Sequence, residues 1–195
     1  YLLFQAEIIK YKTEIAMVYI FMAQGFEAIE FTTPLDMLIR AGIPVRTVSV
    51  TGELLVKSSQ NIPIMADALF ENVDFADADM LILPGGQPGA TNLANHKGVE
   101  LLLRQFMDAD KPVAAICAAP MVLGGHGLID GRKVTTYPGC EPGLGKALCT
   151  GALVEQDANL ITGKGPAAAV EFANAIIKLL RSEELQKEVC SKMMF

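Results

Sequence analysis

Two short runs, Met80–Leu83 and PVAAIC (Pro112–Cys117), are apolar throughout, and each ends in a cluster of small residues. A strand with no polar face is buried on both sides. That demands a mostly parallel sheet with helices covering both of its surfaces. Helical periodicity follows each run, from about Lys97 to Asp108 after the first and across AAPMVLGG after the second. The chain is therefore read as an α/β protein built from alternating strands and helices.

The remaining segments fit that scheme. An apolar segment over Ile15–Phe21 supplies a first strand. The stretch Glu27–Arg40 predicts a helix with Ile29, Pro34, Leu35, Leu38 and Ile39 at helical spacing, with Pro34 near a kink or an early turn. VRTVSV, from Val45 to Val50, is a β-branched strand bounded by Pro44 and Gly52. Residues 53–67 read as a small hairpin excursion. GALVEQDANLITG reads as a second hairpin turning at Asp157-Ala158-Asn159. A helix opens at Gly165-Pro166, where proline costs least, and a short amphipathic helix over Ser182–Met193 closes the chain. No linker or repeat divides it, so residues 17–195 are expected to form a single domain. Met17 would make a natural start, and residues 1–16 read as an N-terminal extension or a cloning remnant.

Composition narrows the function. With 16 basic and 22 acidic side chains the net charge is −6, and no basic stripe offers phosphates a footprint. Nucleic acid is not an expected partner. No uninterrupted apolar run of about 18 residues exists, so no membrane span is expected. The four cysteines lack CxxC spacing and matching histidines, which argues against a metal site. They read as reduced thiols of a cytoplasmic protein.

Three segments reach the carboxyl ends of strands, where open α/β sheets place their working crevice: Gly25–Glu30, Pro84–Gly86 and Cys117–Ala119. Cys117 stands at a strand-to-helix junction among Ala115, Ala118 and Ala119. It reads either as a nucleophile at a tight elbow, with a helix N-terminus lowering its pKa, or as a structural buried cysteine. Glu30 reads either as an ordinary first-turn acid or as a carboxyl among apolar neighbours with a raised pKa. Gly85 and Gly86 form a simple turn or, with the Ala118 amide, an oxyanion hole. The two histidines offer no base: His126 lies nine residues beyond Cys117, about 13 Å along a helix, and His96 sits in a surface-like stretch.

Six strings in order, GFEAIE (Gly25–Glu30), RAG (Arg40–Gly42), LPGG (Leu83–Gly86), AAICAAP (Ala114–Pro120), KVTTYP (Lys133–Pro138) and TGKGPAAAVEFA (Thr162–Ala173), resemble the ThiJ/PfpI superfamily. Within its class I glutamine amidotransferase-like fold, the chain looks like the parkinsonism-associated deglycase branch. The resemblance implies a flavodoxin-like three-layer α/β/α sandwich, a homodimer, and no cofactor. It also implies Cys117 as an oxidation-sensitive nucleophile, Glu30 as its protonated partner, and Gly86 and Ala118 as oxyanion donors. The peptidase branch places histidine directly after the cysteine, where this chain has Ala118. The deglycase branch often has histidine where this chain has Tyr137, an auxiliary hydrogen-bond donor but a poor base near neutrality.

Two functions follow from that resemblance. One is glyoxalase III or deglycase chemistry on small reactive aldehydes, with Cys117 adding to the carbonyl and Glu30 shuttling the proton. The other is a non-catalytic redox sensor or holding chaperone working through oxidation of Cys117.

Overall fold

The computed structural model describes residues 16–195. The expectation for an N-terminal extension, and for Ile15 in the first strand, lies outside the described residues. A seven-stranded sheet runs in the order β10-β11-β7-β6-β1-β2-β5. Its members are β1 (Met17–Met22), β2 (Val45–Ser49), β5 (Ala68–Leu69), β6 (Ala78–Leu83), β7 (Val113–Ile116), β10 (Val154–Asp157) and β11 (Leu160–Gly163). Every pairing is parallel except β10 with β11. The principal strands β2, β1, β6, β7 and β11 follow the flavodoxin order, and the chain reverses direction across the sheet between β1 and β6. β6 is buried from Met80 to Leu83 and β7 along its whole length.

Helices cover both faces. On one side α1 (Ala28–Arg40) packs on α5 (Ala169–Leu180), with α6 (Glu183–Lys192) against α5. On the other lie α2 (Gly89–Asn95), α3 (Lys97–Asp108) and α4 (Pro120–Gly125). The excursion after β2 is the antiparallel hairpin β3 (Leu55–Lys57) and β4 (Pro63–Met65). A further pair, β8 (Lys133–Val134) and β9 (Leu148–Cys149), is parallel and stands apart from the main sheet. No helix of the described residues is long and apolar enough to cross a membrane.

Several boundaries differ from the sequence pattern. α1 runs straight through Pro34, and its inward residues are Glu30, Phe31, Pro34, Met37 and Leu38, while Ile29 and Ile39 face solvent. The inward stripe therefore passes through a carboxyl. α4 does not begin at Ala118, directly after the strand, but two residues later, after a turn of Cys117–Ala119. Gly165-Pro166 opens a single 3-10 turn, and α5 proper begins at Ala169. α2, which carries only Ala90 and Leu93 as buried side chains, has too little apolar periodicity to show in the sequence.

Candidate active site

The ends of β1, β6 and β7 converge, and the packing there is close enough to explain the glycines. A Cβ on Gly86, whose φ is +86°, would lie 2.5 Å from the Glu27 amide nitrogen. A Cβ on Gly85 would lie 2.6 Å from Cys117 Cβ and 2.7 Å from Glu30 Oε2. The LPGG loop is thus wedged between α1 and the cysteine.

Cys117 adopts φ +62°, a left-handed conformation that costs an L-residue about 1–3 kcal/mol. Three hydrogen bonds hold it. Its N–H donates to Gly163 O at 2.8 Å. Its carbonyl accepts from the Tyr137 N–H at 2.9 Å and from the Thr136 hydroxyl at 2.7 Å. The side chain is 8% exposed, and the amides of Gly86 and Ala118 donate toward the sulfur.

Glu30 is completely buried. Its Oε2 accepts the Gly85 N–H at 2.9 Å. Oε1 is buried without a partner of strict hydrogen-bond geometry, and the side chain Glu30 couples with is Cys117. Burial is the main cause that raises the Glu30 carboxyl to about 7, and the Glu27 charge adds to it; the hydrogen bonds from Cys117 and Gly85 oppose it. Burial likewise pushes the Cys117 thiol up to about 12, helped by the charge and hydrogen bonding of Glu30, against the Gly86 and Ala118 amides. The expected lowering of the thiol pKa by a helix terminus is therefore overturned: desolvation outweighs the amides while Glu30 is ionised. Two negative charges this close in a buried site repel, so the pair keeps one proton between about 7 and about 12.

A family model described as the DJ-1/PfpI family matches residues 16–179. The chain belongs to the DJ-1/PfpI family. It is 36% identical over 177 residues to protein dj-1beta of Drosophila melanogaster, covering 90% of this chain and 95% of that one. It is 33% identical over 174 residues to the Parkinson disease protein 7 homolog of Danio rerio, covering 87% and 92%. Among solved structures, a DJ-1 superfamily protein of Salmonella typhimurium superposes with a TM-score of 0.88 at 31% identity, covering 92% of this chain and 98% of that one. Oxidized Toxoplasma gondii DJ-1 gives 0.88 at 30% identity, with the same coverage.

Within this member of the DJ-1/PfpI family, the structure brings Cys117, Glu30, Gly86 and Ala118 together. Gly85 is there too, but its amide is committed to Glu30. Tyr137 reaches Cys117 through its backbone amide, while its side chain is half exposed. Both histidines are engaged elsewhere. His126 caps the end of α4, with Nε2 3.1 Å from Ala94 O, and His96 Nδ1 accepts the Val99 N–H at 3.2 Å at the start of α3. No group of side chains among the described residues is arranged to hold a metal ion. Two further residues touch the site's backbone. Thr136 carried the signal of standing in the KVTTYP string. Glu27 is the N-cap of α1, its Oε2 accepting the Glu30 N–H at 2.8 Å.

Proposed function

We propose that Cys117 and Glu30 are the working pair of a cofactor-independent enzyme acting on small reactive aldehydes, in the manner of a glyoxalase III or deglycase. The observation that carries this reading is a fully buried carboxyl, Glu30, whose second oxygen has no partner other than the neighbouring Cys117 thiol. A carboxyl so placed is equipped to give and take a proton near neutrality. With a 2-oxoaldehyde such as methylglyoxal, the Cys117 sulfur forms a bond to the aldehyde carbon. The carbonyl electron pair moves to oxygen, which takes a proton and yields a hemithioacetal. The Gly86 and Ala118 amides stabilise charge on that oxygen as it develops. Glu30 removes the proton from the former aldehyde carbon and returns one to the adjacent carbon, while the hydroxyl proton passes to the neighbouring carbonyl oxygen, which leaves a thioester. Water then cleaves the thioester, releasing the 2-hydroxy acid and restoring the thiol. A homodimer in the cytoplasm completes the reading, carried over from the family resemblance.

The second reading is a redox sensor or holding chaperone. A relative in this family has been solved in an oxidized form, and the amides around Cys117 are suited to sulfinate oxygens. Two equivalents of hydrogen peroxide would convert the thiol to the sulfinic acid with release of two waters. Lactate formation from methylglyoxal separates the two. The enzyme reading expects turnover by the wild type that Cys117→Ala and Glu30→Gln abolish. Absence of turnover by correctly folded wild type would leave the sensor reading standing.

A further inference from the structure

Three hydrogen bonds close a ring around the start of α1. The Gly85 N–H donates to Glu30 Oε2 at 2.9 Å, the Glu30 N–H donates to Glu27 Oε2 at 2.8 Å, and the Glu27 N–H donates to Gly85 O at 2.9 Å. Glutamate is not among the usual N-cap residues. Here its longer side chain folds back over the helix start, leaving Glu27 only 9% exposed. Two acids three residues apart on one turn are thereby buried together. No ion pair among the described residues engages either of them.

The groups that face Glu30 are few. Its own helix supplies Glu27, the end of β6 supplies the Gly85 amide, and the end of β7 supplies Cys117. The β3–β4 hairpin approaches through backbone bonds, Ser59 N–H to Phe26 O and Gly25 N–H to Lys57 O, and its Lys57 is exposed. With no cation at hand among the described residues, both acids cannot ionise without a large repulsive cost. Glu27 is the one fitted to carry the charge, because its oxygen accepts a helix N-terminal N–H. Glu30 has one oxygen satisfied by the Gly85 amide and no second backbone donor, only the Cys117 thiol, which suits a neutral acid.

We propose that Glu27 is a positioning residue that keeps the Glu30 carboxyl protonated and turned toward Cys117. It does so through its own negative charge and through the ring that fixes the first turn of α1. The inference deepens the reading of Cys117 and Glu30 as the working pair, yet its test needs no turnover. If the aldehyde chemistry fails, this inference still stands or falls alone.

The test is the pH profile of Cys117 alkylation by iodoacetamide, followed by peptide mass mapping, for wild type, Glu27→Gln and Glu27→Asp. Gln keeps an oxygen for the Glu30 N–H but removes the charge. The first ionisation of the Glu30–Cys117 pair should then move acidward by about one pH unit, while Glu27→Asp, which keeps charge and cap, stays near the wild-type profile. An unmoved inflection in Glu27→Gln, or an equal shift in Glu27→Asp, overturns the proposal. Should Glu27→Gln fail to fold, infrared spectroscopy of wild type and Glu27→Ser, which caps without charge, decides the matter. A protonated-carboxyl band, absent in Glu30→Gln, that persists toward pH 7 in wild type and is lost at lower pH in Glu27→Ser supports it, and bands that titrate together overturn it. No such band above about pH 5, or one that survives Glu30→Gln, refutes it.

Discussion

Gly85 and Glu30 are locked together: the amide of one donates to Oε2 of the other at 2.9 Å, and a Cβ on Gly85 would sit 2.7 Å from that oxygen. The glycine is required because backbone must approach a buried carboxyl, a closeness no side chain permits.

Gly85→Ala should therefore be costly even though alanine is small. The added methyl meets Cys117 Cβ at 2.6 Å and Ile116 O at 2.8 Å as well as Glu30, and two of these three neighbours are held by the sheet and its elbow. Overpacking of this kind costs about 1–3 kcal/mol. Urea denaturation should register a loss in that range, together with a displaced Glu30 that no longer couples to the thiol. A variant as stable as wild type, with an unchanged Cys117 pH profile, would contradict the packing described here.

Glu30 also makes stability depend on pH. In the unfolded chain its carboxyl titrates near 4.5, and in the fold near 7. The folded state thus binds the extra proton between those values. Its contribution is fully present below about 4.5 and is lost as pH rises through about 7. A difference of this size corresponds to roughly 3 kcal/mol. Glu30→Gln removes the ionisation and keeps an oxygen for Gly85. Denaturation measured at pH 5 and pH 8 should show a decline in the wild type that is absent, or much smaller, in Glu30→Gln. Parallel declines would mean that the carboxyl ionises in the fold as easily as in the unfolded chain.

The thiol titration carries a related expectation. Wild type should lose protons from the pair in two steps, near 7 and near 12, with thiolate signal able to grow at both. Glu30→Gln should collapse these into one step below 12, because the carboxylate charge that pushes the thiol up is gone. Ultraviolet thiolate absorbance, corrected by a Cys117→Ala blank, reads this directly. Two steps surviving in Glu30→Gln would assign the lower one to another group.

Much of this architecture is written in local pattern. The strand core Met80–Leu83, the helix Lys97–Asp108, the hairpin turning at Asp157–Asn159 and the small hairpin of residues 53–67 all stand where periodicity and turn residues put them. These elements declare themselves because one chain segment carries the whole signal. The strand-end rule brings the segments that hold Cys117 and Glu30 to one crevice; six strings of family resemblance supplied their pairing. What stayed hidden depends on groups far apart in sequence. Nothing local marks Glu27 until Gly85 O meets its amide. The direction of the Cys117 pKa follows from desolvation by three converging strand ends and from the charge of Glu30, neither of which the string AAICAAP contains. Pro34 suggested a kink, yet α1 continues through it. Proline removes only the bond that would have closed on the Glu30 carbonyl, and packing of Phe31, Met37 and Leu38 carries the helix across.

Thr136 tests how the elbow is held. Its hydroxyl donates to the Cys117 carbonyl at 2.7 Å, and both residues are buried. The same carbonyl accepts the Tyr137 N–H, so Thr136→Val, which keeps the side-chain shape, removes one of two donors and leaves the oxygen partly satisfied. A buried hydrogen bond of this type contributes about 1 kcal/mol net. The left-handed geometry at Cys117 needs all of its restraints, because it stores strain of comparable size. The variant should lose about 1–2 kcal/mol in urea denaturation and should also alkylate at Cys117 with an altered rate, since a relaxed elbow moves the sulfur relative to the Gly86 and Ala118 amides. A stability loss with an unchanged alkylation rate would show that Tyr137 and Gly163 alone fix the cysteine, and that Thr136 serves only the packing of its own segment.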